Sequence, residues 1–251
     1  KNVMNEWNNS QNERRMFRAI GRLNAQLDLG EIYAPLKGLR YRFNFGPDFR
    51  YYRNGTFRNE ESISSEGKNR ASLSNQSDFS WTLDNLIYYD KEIGKHSFGL
   101  TLLQSATGYH YEESSMAAEG IPLESAKWNA LSKENVSLLD EWNSGLIEKQ
   151  LLSYMFRVNY DYNNKYLLTV SGRWDGASQL AEGNKWAFFP SAALGWRLDQ
   201  EEFLKDVTWL NQLKFRLGVG VTGNSAIDPY QTKGAIVSLY YPFGATLAPG
   251  Y

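Results

Sequence analysis

The sequence predicts an all-β fold, an antiparallel transmembrane β-barrel wall of about eight strands. Three observations carry this expectation. From Arg15 to Trp209 one pattern recurs: a long strand alternating apolar and polar residues, a turn, then another such strand. Alternation with period two gives each strand an apolar face and a polar face. The runs are also long. Strands of soluble sandwiches last about 5–6 residues, whereas crossing a bilayer takes roughly 9–11 residues of tilted strand. Finally, connections sort by length, compact after the odd strands and mostly long and polar after the even ones, as in membrane barrels.

The first strand is expected over 16–29, with Phe17, Ala19, Leu23, Ala25 and Leu27 on one face and Arg18, Arg22, Asn24, Gln26 and Asp28 on the other. A short connection with Pro35 leads to the second strand, Leu39 to Tyr51, where Leu39, Tyr41, Phe43 and Phe45 oppose Arg40, Arg42 and Asn44. Residues 52–77 are rich in Asn, Ser, Glu and Gly without periodicity and read as a loop. The third strand (78–89) carries Phe79, Trp81, Leu83 and Ile87 on its apolar face, and a tight turn over 90–95 joins it to the fourth (96–107), with Phe98, Leu100, Leu102 and Ala106. Residues 108–149 read as the longest loop, in which Trp128, Leu131, Leu138, Leu139 and Trp142 have the spacing of a short amphipathic helix.

The fifth strand (151–162) places Leu152, Tyr154, Phe156, Val158, Tyr160 and Tyr162 on one face. Asn163-Asn164-Lys165 is a hairpin turn. The sixth strand (166–175) follows with Tyr166, Leu168, Val170 and Trp174, and the seventh (186–198) with Trp186, Phe188, Ala192, Leu194 and Trp196. Pro190 inside the seventh requires an edge or a bulge. Asp199 and Glu202 have capping-box spacing and suggest a helical turn before the eighth strand, 213–222. The polar faces then share Arg40, Arg42, Arg157, Arg173, Arg197, Lys214 and Arg216 with Asp28, Asp84, Asp161 and Asp175, which suits a water-filled or plugged lumen.

Composition agrees. Aromatic residues are 15% of the chain, with 16 Tyr and 8 Trp, many at strand ends where membrane barrels carry interfacial girdles. No apolar run reaches the roughly 18 residues of a membrane helix. With no Cys there is no disulfide framework and no thiolate metal site. A net charge of −1 leaves no nucleic-acid footprint. The polar start, residues 1–14, has no signal character, so the chain is expected to be a piece of something longer.

Several motifs invite chemistry and fail on context. Gly218 to Gly223 spells G-x-G-x-x-G, but a dinucleotide site needs a buried parallel strand before it and a helix after it. Here Lys214 and Arg216 alternate along the strand, and Asn-Ser-Ala-Ile-Asp-Pro follows. His96 opens the fourth strand and His110 sits at a loop start, with no second ligand in view for a metal. The acidic pairs Glu60-Glu61, Glu112-Glu113 and Glu201-Glu202 are expected in connections as solvated charge. Loop aromatics Tyr109, Tyr111, Trp128, Trp142, Tyr230 and Tyr240 are placed either to stack on a sugar or peptide or to pack loops together.

The segments RVNYDYNNKYLLTVSGRWDGASQL, KWAFFPSAALGWRL and EEFLKDVTWLNQLKFRLGVGVTGNSAIDPYQ resemble, in order and spacing, the SusC/RagA family of TonB-dependent outer-membrane transporters of the Bacteroidota. Arg173, Asp175 and Gly176 stand at its Arg-x-Asp-Gly motif, Phe188 to Ser191 at its Phe-Phe-Pro-Ser, and Gly220 to Asn224 at its Gly-Val-Thr-Gly-Asn. Gln179-Leu180 departs from the usual Arg-Phe. The resemblance implies a barrel of about 22 strands, of which residues 1–251 are a part, the signal and the plug lying outside this chain. It further implies import of oligomeric nutrients, with a glycan expected and a peptide the alternative. Implied partners are a SusD-like surface lipoprotein, outer-membrane lipid, and the TonB–ExbB–ExbD complex acting through parts not in this chain. No covalent step, cofactor or metal is implied. Tyr109, Tyr111, Arg173, Asp175 and Tyr230 are the candidate cargo contacts. A small eight-stranded adhesin barrel and a soluble all-β module remain open rivals.

Overall fold

The computed structural model describes residues 3–132, 136, 138–204, 209–233, 239–243 and 246–250. A short helix α1 (Val3–Asn9) leads into β1 (Ser10–Ile20) and β2 (Leu23–Asp28), then a one-turn helix α2 (Leu29–Ile32). Long strands follow: β3 (Leu39–Arg58), β4 (Arg70–Ile93), β5 (His96–Glu119) and β6 (Leu138–Tyr162). Next come β7 (Tyr166–Ala177), β8 (Trp186–Arg197), β9 (Lys214–Gly220), β10 (Leu239–Phe243) and β11 (Thr246–Gly250). Among the described residues, nine strands form one sheet in the order β1-β3-β4-β5-β6-β7-β8-β9, with β2 also paired to β3, and β10 and β11 form a separate hairpin.

The expected first strand is thus two strands, and the break has a cause. Gly21 donates its N–H to the Pro47 carbonyl (2.9 Å). In an antiparallel pair a residue's N–H and C=O point to the same neighbour, so the donor that Pro47 lacks is the one Gly21 would need. The ladder opens there and resumes in β2.

The expected long loops are much shorter. Residues 52–58 continue β3 and 70–77 open β4, leaving 59–69 as the connection; β5 runs to Glu119 and β6 begins at Leu138. Tyr109, His110, Tyr111 and the Glu112-Glu113 pair are therefore strand residues, not loop residues. The amphipathic helix is absent as drawn: Trp128 lies in a 3-10 turn (Glu124–Asn129), while Leu138, Leu139 and Trp142 belong to β6. Tyr240, expected in a loop, lies in β10, which pairs with β11. After β8, two 3-10 turns (Leu198–Gln200 and Glu202–Leu204) replace the single capped helical turn; residues 205–208 of that stretch lie outside the described residues.

The chain divides into two compact units. The first comprises residues 1–27, 42–85 and 106–148. Its small core is Phe57, Ala71, Ile121 and Trp128, with Leu73, Leu131 and Val136 against it. The Trp128 indole lies so close over Gly55 that a Cβ there would fall 2.3 Å from the ring, so this position admits only glycine. The connection 59–69 is fastened from two sides. The Glu6 carboxylate accepts from Ser62 Oγ (2.8 Å), Ser64 Oγ (3.1 Å) and the Ile63 N–H (2.7 Å), which hold this acid below its usual range. Buried Glu119 pairs with Lys68 (2.9 Å) and Arg70 (2.5 Å).

The second unit comprises residues 28–41, 86–105 and 149–251. Its register settles the two faces. Phe156 pairs with Gly172, Val158 with Val170, Leu168 with Leu194, Trp174 with Phe188, and Leu194 with Leu217. One face of β6–β9 is thus continuous in Leu152, Phe156, Val158, Leu168, Val170, Leu194, Phe215 and Val219, as expected. The other carries Arg157, Thr169, Arg173, Arg197 and Arg216. Asn163 and Asn164 (φ 53° and 55°) form the left-handed hairpin turn that their type predicts. Pro190 sits in an inner strand rather than at an edge. Its carbonyl accepts from Val221 (2.9 Å), so its donor-less nitrogen faces β9 just past Gly220, where that ladder has ended.

Candidate functional site on the polar face

In the first unit, Tyr109 and Tyr111 have the parity of the β5 polar face, the apolar face being Phe98, Leu100, Leu102 and Ala106. The Tyr111 hydroxyl donates to Glu113 (2.6 Å). Beside them runs a row of ion pairs not singled out from the sequence. Arg18 and Arg50 stand opposite each other in the β1–β3 register. Two like charges in that position repel, and each is answered by a carboxylate: Arg18 by Asp48 (2.7 Å), Arg50 by Asp78 (2.7 Å). Asp78 is almost fully buried, and losing that guanidinium would leave its carboxylate without the ion-pair partner a buried acid needs. The signal was present, since Arg50 continues the even-numbered series of Arg40 and Arg42.

In the second unit, Arg173 Nε donates to Asp175 (2.6 Å) and its Nη2 to Ser153 Oγ (3.0 Å). Ser153 is 1% exposed, and it faces Asp175 across the β6–β7 ladder. The Arg-x-Asp pair is therefore held on two strands at once, its charge largely spent internally. Nearby polar-face pairs are neutral: Thr169 donates to Asn159 (3.0 Å), and Ser171 meets Ser191 (2.7 Å). Tyr230 takes a left-handed φ of 71° just before a 3-10 turn (Gln231–Lys233) and is half exposed. The structure brings Arg173 and Asp175 together. Tyr109 and Tyr111 lie in the other unit.

Gln179, the departure from the family pattern, has a clear job. Its side-chain amide donates to the Ser225 carbonyl (3.0 Å), and its main-chain carbonyl accepts from Thr232 Oγ1 (3.4 Å), so it ties the loop after β7 to the segment carrying Tyr230. Two sequence motifs also meet: a Cβ on Gly223 would fall 2.3 Å from the Phe189 ring. Close packing thus accounts for Gly223, and a Cβ on Gly220 would lie 3.0 Å from Ser191, whereas one on Gly218 would meet only ordinary contacts. β9 is antiparallel to β8 and no helix follows through Asp228, so the nucleotide reading fails. Among the described residues, no three His, Asp or Glu gather as a metal-ligand set.

The apolar face ends in an aromatic row fixed by one carboxylate. Glu201 accepts from Tyr166 Oη (2.8 Å), Trp196 Nε1 (3.0 Å) and Lys165 Nζ (3.2 Å). These donors hold its acid below the usual range, Trp196 contributing most. In the same connection Asp199 is held at about 2, chiefly by Arg197 (2.8 Å) and then by Gln200 and the Leu213 N–H.

A two-faced antiparallel sheet with aromatic ends and a charged inner side defines the barrel class of outer-membrane receptors, and comparison with known proteins agrees. The chain is 34% identical over 213 residues to TonB-dependent receptor P26 of Formosa agariphila, covering 82% of this chain and 21% of that protein. It is 34% identical over 229 residues to TonB-dependent receptor SusC of Bacteroides thetaiotaomicron, covering 82% and 21%. Among solved structures it matches the RagAB peptide importer in its open-open state with a TM-score of 0.81 at 20% identity, over 97% of this chain and 26% of that one. No family model matches the chain. The chain belongs to the SusC/RagA family of TonB-dependent receptors. It spans about a fifth of the length of the curated relatives it matches.

Proposed function

We propose that this chain is part of the barrel wall of an outer-membrane importer that takes up oligomeric nutrients by TonB-dependent transport. The observation that carries the reading is the register of β6–β9, which sorts apolar and charged side chains onto opposite faces across four strands. A lipid-facing band and a wet lumen require that sorting. The plug, the signal and the TonB-contacting segment belong to parts of the protein outside residues 1–251. The protein resides in a bacterial outer membrane with a SusD-like lipoprotein on its extracellular end.

The cargo is a glycan in this reading. Three arginines of the polar face are neutralised within the wall, through Arg18–Asp48, Arg50–Asp78 and Arg173–Asp175, and the face offers hydroxyls, amides and tyrosines beside them. Tyr109, Tyr111, Arg173, Asp175 and Tyr230 are the proposed contacts. Such groups position an uncharged cargo by hydrogen bonds and ring stacking, and no bond in it is made or broken. The fold likeness to the RagAB peptide importer favours the second reading, oligopeptide import. Deleting the gene and measuring uptake over a panel of glycans and peptides separates the two. Lost uptake of a glycan with peptide uptake intact supports the first, and the converse supports the second.

A further inference from the structure

We propose that the outer face of this wall carries a sugar-headgroup site for an outer-leaflet glycolipid, just above the apolar band. The proposal rests on the membrane reading above. Side-chain contacts in the first unit fix which residues share the apolar face. The Trp81 ring lies against Gly108, the Tyr51 hydroxyl donates to Asn75 (3.1 Å), and His110 bonds Glu148 (3.0 Å). Odd residues of β3 and β4 and even residues of β5 and β6 therefore lie on one side.

Along that side the chemistry changes abruptly. Phe49, Phe79, Trp81, Leu83 and Ala106 are apolar; further along the same side come Ser77 and Asn75 on β4, His110, Glu112 and Ser114 beyond Gly108 on β5, and Glu148 and Ser144 on β6, with Leu146 between them. The strands leave hydrocarbon there and enter the headgroup layer. At this boundary lies a cavity of about 500 Å³, within the roughly 300–1,000 Å³ of small-molecule sites. Its lining includes the hydroxyl residues Ser77, Ser114 and Ser144, with Tyr51, Asn75 and Glu112 as further polar residues and Leu146 as the apolar one. Gln76, Glu113 and Gly145 alternate to the other face and give backbone only.

Short hydroxyls flanked by an amide, a carboxylate and one aromatic ring suit a polyhydroxylated ring. Glu112 and Glu148 share the His110 imidazole (3.0 Å each), one cationic partner for two carboxylates, so the charge left beside the cavity is negative and disfavours phosphate; the part bound is a neutral or amino sugar. The position commits the occupant. A sugar held on this face beside the hydrocarbon boundary is one whose acyl chains lie along Phe79 and Trp81.

The test uses the full-length receptor purified from outer membranes in detergent, with native mass spectrometry as readout. Probes are glycolipid extracted from the same membrane, its deacylated sugar, and phosphatidylethanolamine. The expected result is retained glycolipid, at least tenfold weaker in Ser114→Trp and in Ser144→Trp, with little binding of the other two probes. Heat-modifiability and nutrient uptake of these variants report whether the barrel still folds. Should both variants fail to fold, Glu112→Lys replaces them, with stronger retention of phosphate-bearing glycolipid expected. Equal binding of deacylated sugar, equal binding of phosphatidylethanolamine, or glycolipid retention unchanged by the variants overturns the proposal. Absence of the receptor from the outer-membrane fraction overturns the membrane reading instead.

Discussion

Single side chains on this sheet are constrained by what lies one strand away. Phe156 is central on the apolar face of β6, packed beside Gly172 and 6.1 Å from the Trp174 ring. Replacing it with Arg puts a charge toward lipid near mid-depth, and the expected cost is about 2–4 kcal/mol. Equilibrium unfolding of the full-length receptor in lipid measures it; a neutral result would reverse the two faces. Gly172 makes the complementary case. A Cβ there would lie 2.6 Å from Phe156 and 2.8 Å from Phe188, so Gly172→Val forces both rings to move, at about 1–3 kcal/mol by analogy with overpacked cores. Asp199 gives a pH dependence. Its folded value of about 2 lies below the ordinary 3.8, so the carboxylate's contribution to the β8–β9 turn is complete above the ordinary value. That contribution fades as pH falls from there through about 2. Amide exchange at Leu213, corrected for its intrinsic rate, should lose protection over that window, and Asp199→Asn should remove the dependence.

Strands and their connections obey the bilayer only where they are in it. Between Leu152 and Tyr162 an apolar or aromatic residue stands at every second position, and between Phe79 and Tyr89 at every second position except Asn85; there the pattern locates the strands and their faces correctly. Beyond Ser77 or His110 the pattern ends, and both faces turn polar while the ladder continues. Residues 52–58, 70–77 and 108–119 therefore read as loop although they are strand. The same rule moves Tyr109 and Tyr111 from a loop to a strand, whereas Arg50 and Asp78 lie inside the predicted strands and are legible there from the even-numbered polar series. The pair Arg173–Asp175 was accessible because its motif lies in the regular part of β7. Gln179 stands out in the sequence only as a departure, since its bonds to Ser225 and Thr232 span 46 and 53 residues and leave no local pattern. The tight turns after β4 and β6 still predict orientation, although the connection after β8 is longer than the one after β7. Cysteine introduced at Glu182, in the connection after β7, should react with an impermeant thiol reagent on intact cells, whereas cysteine at Lys95, in the two-residue turn after β4, should not. The native chain has no cysteine to confuse the assay. Labelling of the second and not the first would invert the wall.

Among the described residues the sheet has two ends, β1 and β9, which are not joined to each other. Both are exposed along almost their whole length, and each presents a row of backbone donors and acceptors on its open side. In water such an edge invites pairing with another chain. In a bilayer it is worse, because each unsatisfied N–H or C=O in hydrocarbon costs several kcal/mol and nothing but protein can satisfy it. The apolar residues of β9, Phe215, Leu217 and Val219, are 59%, 63% and 76% exposed, so little packing offsets that cost. Residues 1–251 expressed alone should therefore aggregate, while the same segment inside the full-length receptor folds with further strands on both ends. Size-exclusion chromatography in detergent, with and without heating, reads the outcome. A monodisperse, heat-modifiable monomer of this segment, with crosslinks joining β1 to β9, would mean that the sheet closes on itself. The small-barrel reading would then replace the importer wall.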